Sequence, residues 1–344
     1  SDAPDAAAAA RHAPPVPAAR RRDATALARA RPAGGRDGAG QDAAGDRRHL
    51  HARAGRQGGA WAWTLLCVVL VGGLKAEETS GSQVGLIPNG DTAQGNINAG
   101  DAVSNTGQGE HPLEPALALA AQGLDNLRAN IKDYSCTVVK RERIGGELQP
   151  HEYMFAKIRH EPFSVYLYFL APEAVKGQEV IYSDGQNDGN MLAHAGSGVR
   201  AMVGTVSLKP QSMLAMQGNR YPITEIGVEN LAERLVEVAK HDKQFGECDV
   251  NFFPKAKVNG RVCTCIQVVH PVPRRNFRFH LARVYMDDEY LIPIRYEAYD
   301  WPKEQGGQPI LMEEYTYMNV KVNNGFTDAD FDPTNAAYKF GSGD

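Results

Sequence analysis

The chain has 344 residues and a formal net charge of −4, an average over two unlike parts. Residues 1–76 hold 12 Lys and Arg against 6 Asp and Glu, a net of +6, and residues 77–344 hold 25 against 35, a net of −10. An excess of ten negative charges excludes nucleic acid as a general partner, because phosphate binding needs clustered positive charge.

Residues 1–58 are rich in Ala, Arg, Pro and Gly and contain no Phe, Tyr, Trp, Ile or Met. Such a stretch cannot bury enough apolar surface to offset its ordering entropy, so it reads as a disordered extension. Residues 59–76 carry the apolar run AWAWTLLCVVLVGGL, behind Arg47, Arg48, Arg53 and Arg56. The run is shorter than the roughly 20 residues that span a bilayer. Its basic flank, with Leu74 and Ala76 before Glu77, reads as a signal peptide. An uncleaved anchor and a buried helix remain as alternatives. Residues 77–112, dominated by Gly, Ser, Asn, Thr and Gln, read as a disordered polar linker.

From residue 113 the texture is that of a folded domain. A helix is expected over 115–131, with Leu117, Ala121, Leu124, Leu127 and Ile131 on one stripe. Strands are expected over 134–144, 152–158, 163–170, 179–182 and 189–195. In FSVYLYFL, Phe163, Val165, Leu167 and Phe169 share one face, and Tyr166 and Tyr168 the other. Residues 196–227 break this pattern, with a short helical piece expected at 210–217. A second helix follows over 228–241, with Leu231, Leu235 and Val238 inward. Strands resume at 255–258 and 261–270 around Asn259-Gly260, a strong hairpin signal. They continue over 277–286, 291–298 and 310–322, ending at Asn323-Asn324-Gly325. Phe326 and Phe331 anchor the polar tail. Hairpin-linked strands imply an antiparallel sheet, and the sparse helices make the class α+β.

Four cysteines follow the apolar run: Cys136, Cys248, Cys263 and Cys265. In an exported protein they could form two disulfides or remain buried thiols, and the spacing does not choose a pairing. Cys263, Cys265 and His270 lack a second pair at zinc-site spacing, so no metal is expected. The chain contains no G-x-S-x-G, H-E-x-x-H or P-loop. No catalytic set and no cofactor is expected.

DYSCTVVKRERIGG (133–146), CTCIQVVHP (263–271), FRFHLARVYMDDEYLIPIRYEAYDWP (277–302) and DFDPTNAAYKF (330–340) together resemble a bacterial envelope family of unknown function. That family in turn resembles the outer-membrane lipoprotein carriers and receptors, the LolA/LolB-like group. The resemblance implies a curved antiparallel sheet, an open half-barrel, with an N-terminal helix and inserted lid helices on its concave side. It also implies an apolar cavity for acyl chains. The carriers keep an arginine that holds the lid closed, and no residue of this chain is assigned to that role.

The expected function is an exported, periplasmic or envelope binding module for an apolar ligand such as a lipid or lipoprotein acyl chain. Membrane contact would be transient or peripheral. The alternative is a structural or protein-interaction domain with an envelope partner, and a hydrolase is the weaker third. Tyr166, Tyr168, Phe169, Phe277 and Phe279 are the candidate cavity residues, and Met213 and Met216 the candidate lid residues, since methionine adapts to irregular ligands. Each could equally be core. Arg274, Arg275 and Arg278 suit a solvated strand edge or contact with anionic headgroups.

Overall fold

The computed structural model describes residues 95–97, 102–103 and 110–341. The N-terminal extension, the apolar run and most of the linker lie outside the described residues. Helix α1 (Glu114–Asn130) opens the domain, with Pro115 in its first turn. There follow strands β2 (Asp133–Ile144), β3 (Glu147–Leu148), β4 (Glu152–Arg159), β5 (Ser164–Ala171), β6 (Glu179–Ser183), β7 (Met191–His194) and β8 (Thr205–Leu208). Helix α2 (Val228–Asp242) leads to β9 (Asp249–Val258), β10 (Arg261–Val269), β11 (Leu281–Asp287), β12 (Pro293–Asp300) and β13 (Ile310–Val322). Gly95–Asn96 forms the short β1.

All these strands join one 13-stranded antiparallel sheet, in the order β1-β9-β10-β11-β12-β13-β2-β4-β5-β6-β7-β8, with β3 beside β2. The two ends do not pair, so the sheet is open. It coils strongly. Three strands separate β9 from β13, yet Asn259 Nδ2 reaches Asn319 Oδ1 at 3.3 Å.

Register assigns the faces. Val138 pairs with Met154, Met154 with Phe169, Ala156 with Leu167, and Leu167 with Val180, so these share one side. Leu127 of α1 and Val228 of α2 pack into that cluster. Further along, Ile266, Val268, Val284 and Ala298 pack with Leu113 and Ala116. A large apolar side chain so buried contributes about 1.5–3 kcal/mol. The opposite face of β5, β6 and β7 carries Tyr166, Tyr168, Ile181 and Leu192 beneath Phe326, Phe331, Tyr338 and Phe340. Buried Asp133 sets that crossing, accepting hydrogen bonds from the backbone N–H of Asn324 (2.6 Å), Gly325 (3.1 Å) and Phe326 (3.2 Å).

Several expectations change. The buried stripe of α1 is Ala116, Ala120, Gly123, Leu124 and Leu127, rotated towards small residues. Close approach explains it, since a Cβ on Gly123 would lie 2.6 Å from the Leu291 carbonyl oxygen. Likewise α2 buries Val228, Ala232 and Val236, while Leu231, Leu235 and Val238 are partly buried beside them. Strand β9 begins six residues earlier than expected. Pro254 argues against a strand by sequence, but a register shift between Cys263 and Cys265, with Lys255 at φ 62°, absorbs it as a bulge. The piece at 210–217 is a run of turns, not a helix. Within the stretch read as linker, Gly95 and Asn96 pair with Val258 and Lys257, and Val103 bridges Phe252.

Candidate functional site

The segment between β8 and α2 crosses the helix-covered face of the sheet and is the candidate lid. Ala215, Ile223 and Ile226 rest on the main apolar cluster but are only partly buried. From Gln211 to Ile226 no residue is buried, and Met213 is 90% exposed. Its remaining ties to the sheet are polar.

Glu142 of β2 and Glu313 of β13 are direct cross-strand partners, only 3% and 5% exposed. Arg220 answers both. Its Nε donates to Glu313 Oε2 at 2.6 Å and its backbone N–H to Glu142 Oε2 at 3.1 Å. A third bond runs from the guanidinium to the Arg143 carbonyl oxygen at 3.3 Å. Tyr221 donates to Glu313 at 3.0 Å, Tyr315 donates to Glu142, and Lys140 Nζ donates to Asn219 Oδ1 at 2.6 Å. Lys140 also pairs with Glu152 at 2.9 Å.

Burial raises the Glu313 carboxyl above the ordinary glutamate value, outweighing Arg220 and Tyr221, and the nearby Glu142 adds to the rise. Tyr221 is pushed up to about 12 by burial and by Glu313. Arg220 lies above the ordinary arginine value, because its carboxylate neighbour outweighs its partial burial. The pair is therefore asymmetric: the more exposed arginine gains from it, and the buried acid loses more to desolvation than it recovers.

The hinge into α2 is anchored by phenols. Gly227, at φ 114°, donates its N–H to Tyr317 OH at 3.1 Å, and Val228 donates to Tyr134 OH at 2.9 Å. These oxygens satisfy N–H groups at the helix start that have no partner within the helix. A Cβ on Gly227 would stand 3.0 Å from the Tyr134 hydroxyl.

The seven candidate residues do not form one set. Phe169 belongs to the apolar cluster on the lid side, 8% exposed. Met213 and Met216 lie in the lid, Met213 outward and Met216 half-buried. Tyr166 and Tyr168 face the opposite side, where Tyr166 stacks on Tyr338 at 4.0 Å. Phe277 and Phe279 are buried around His270, with Phe277 stacked on its ring at 3.9 Å. The polar pins Glu142, Arg220, Tyr221, Glu313 and Tyr315 were missed. One signal was available: Glu313 shares strand parity with Tyr315 and Tyr317, so an acid sat on a core-facing row.

The thiols are free and buried. Burial pushes Cys248 up to about 11 and Cys263 and Cys265 up to about 12, so none is an activated nucleophile. No group of three or more His, Cys, Asp and Glu able to hold a metal occurs among the described residues.

Residues 131–340, more than half of the chain, match the family described as Protein of unknown function (DUF1571). The chain belongs to this family. No curated protein matches it. Solved structures similar to it include the lipoprotein LppX of Mycobacterium tuberculosis, at 11% identity over 61% of this chain and 98% of that one, with a TM-score of 0.35. Another is a LolA superfamily protein of Nitrosomonas europaea, at 8% identity over 62% and 97%, with a TM-score of 0.27. A third is a DUF1329 family protein of Desulfovibrio piger, at 13% identity over 65% and 98%, with a TM-score of 0.29.

Proposed function

We propose that this family member is an exported, non-catalytic carrier. It would shield an apolar ligand, such as a lipid or lipoprotein acyl chain, between the apolar face of its open sheet and the lid. The observation that carries the reading is the mismatch in the lid: residues 211–226 bury nothing fully, yet they cover an apolar face and are pinned by buried carboxylates. A segment with few buried apolar contacts opens at low cost. An acyl chain entering beneath it would gain about 0.8 kcal/mol per buried methylene. Export rests on the signal-like run at 59–76. No helix of the described residues is long and apolar enough to cross a membrane.

A second reading is an envelope interaction domain. Exposed Met202, Val203, Met213 and Leu214 favour it, as apolar side chains available to a protein partner.

Native mass spectrometry of the protein purified from the producing cell's envelope, followed by lipid extraction, separates the two. A bound acyl species of defined mass is expected. A protein that emerges empty and also fails to take up a fluorescent fatty acid would overturn the carrier reading in favour of the interaction domain.

A further inference from the structure

The loop joining β10 to β11, residues 270–280, reads HPVPRRNFRFH and contains no acid. It carries Arg274, Arg275 and Arg278, all exposed, in a part of the chain whose net charge is −10. Its conformation is held from within. Phe277 and Phe279 are 6% and 8% exposed and pack against the fully buried His270 ring at 3.9 and 4.8 Å. With Phe277 and Phe279 inward, Arg278 between them is turned to solvent. Phe245, just past α2, meets Phe277 edge-on at 5.8 Å, so the loop and the end of that helix form one surface. Lys240 and Lys243 are exposed in the same helix end.

Two acids answer these cations: Glu247 pairs with Arg274 at 2.8 Å, and Glu114 pairs with Lys243. Arg275, Arg278 and Lys240 have no acid partner among the described residues. Phe245 and Val272 stand beside them, 41% and 47% exposed.

We propose that this surface docks the protein on an anionic bilayer, with the three loop arginines among the lipid phosphates and Phe245 and Val272 entering the headgroup boundary. Guanidinium groups bind phosphate oxygens in pairs, and their long stems let the charge stay at the interface while neighbouring apolar atoms leave water. A protein partner fits less well. A stable protein interface needs on the order of 800 Å² per side around an apolar centre, and two exposed apolar side chains fall short of that. They suffice for shallow insertion assisted by charge. The inference does not depend on what the lid covers.

The test is flotation of the full chain with vesicles of phosphatidylcholine alone or mixed with phosphatidylglycerol, at low and high salt. The neutral vesicles report any binding through the apolar run at 59–76. Each basic side chain near an anionic surface strengthens binding about fivefold, so Arg274→Gln, Arg275→Gln and Arg278→Gln together should weaken binding to the anionic vesicles roughly a hundredfold. Binding to neutral vesicles should not change. The triple Lys variant should retain salt-sensitive binding. Equal binding of wild type and the Gln variant to anionic vesicles would overturn the proposal. So would a Lys variant as weak as the Gln one, because a surface that docks on bilayer charge should accept an ammonium in place of a guanidinium. The urea denaturation midpoint of the Gln variant, measured in parallel, should match wild type, and a lowered midpoint would show a fold defect that the Lys variant then isolates.

Discussion

Replacing Arg220 with alanine tests whether the polar pins hold the lid. The substitution removes the bonds to Glu313 and to the Arg143 carbonyl and leaves the backbone bond to Glu142 in place. Glu313 would keep only Tyr221 among the partners reaching it from the lid. Stripping one partner from a fully buried ion pair costs about 3–5 kcal/mol. Here the Arg220 side chain is 29% exposed and Glu313 only 7%, so water screens the arginine and can reach the vacated site. A discounted cost of about 2 kcal/mol follows, a factor of about 30 in the lid's opening equilibrium.

Amide hydrogen exchange read by mass spectrometry resolves where that cost falls. Peptides covering 211–226 should exchange up to about 30 times faster in Arg220→Ala, while peptides in β4, β5 and β6 should keep their wild-type protection. Arg220→Lys should lie between, since an ammonium keeps the charge but loses the planar fork. If protection falls evenly across the sheet, the pins serve the whole fold and not the lid. If nothing changes, the hydrogen bonds of Arg220 do not hold the segment, and the reasoning fails.

Three further outcomes follow from the same geometry. Because burial holds Glu313 above the ordinary glutamate value, the closed form favours its proton: that stabilisation is full below the ordinary value and is lost as pH rises through the raised one. Glu313→Gln should therefore flatten the pH dependence of lid exchange across that window, and an unaltered slope would contradict the assignment. Tyr134→Phe removes the acceptor of the Val228 N–H at a site with 0% exposure, at a cost of about 1–3 kcal/mol in urea denaturation, and a loss under about 0.5 kcal/mol would mean the N–H finds another partner. At the sheet edge, a Cβ on Gly95 would lie 2.2 Å from the buried Tyr285 ring, so Gly95→Val should free the edge of β9 and speed exchange at 252–258; wild-type protection there would show that the segment can shift to accommodate it.

The strands and their antiparallel pairing were legible wherever turn chemistry and alternation agreed. Strand β13 was read to its observed ends, because its alternation stops at Asn323-Asn324-Gly325. The Asn259-Gly260 hairpin shows φ of 48° and 78°, the left-handed pair that a two-residue turn requires. Local pattern failed where a distant contact decides. Pro254 hid half of β9, because the bulge that tolerates it depends on the partner strand. Large leucines drew the expected stripe of α1, whereas backbone approach at Gly123 selected small residues. Alternation separated Tyr166 and Tyr168 from the row of Val165, Leu167 and Phe169, but their cover comes from Phe331, Tyr338 and Phe340, over 150 residues later, which no window of sequence reveals. The segment that interrupts the sheet was legible by its broken periodicity, while the pins beneath it left only the strand parity of Glu313 as a signal, because a glutamate on a strand ordinarily faces water.

The three covers of this sheet differ in what secures them, and that difference singles out the lid. The helices bring Leu127 and Val228, both at 0% exposure, and Leu113 just before α1 is 2% exposed, so lifting them would expose whole leucine and valine side chains. The C-terminal segment brings Phe331 and Phe340 at 5% and 7%, and adds Lys157 to Asp330 at 3.1 Å and Arg159 to Asp328 at 2.8 Å. Only the lid relies on polar contacts with no fully buried side chain of its own between 211 and 226. Polar pins suit a cover that must reopen, because water replaces a lost hydrogen bond at small net cost, whereas nothing in water replaces lost apolar burial. An apolar ligand of the kind proposed would supply that burial, and would take the lid's place on the face without competing for the pins. The opposite face offers no such exchange: displacing the C-terminal segment there would forfeit both its aromatic packing and its ion pairs.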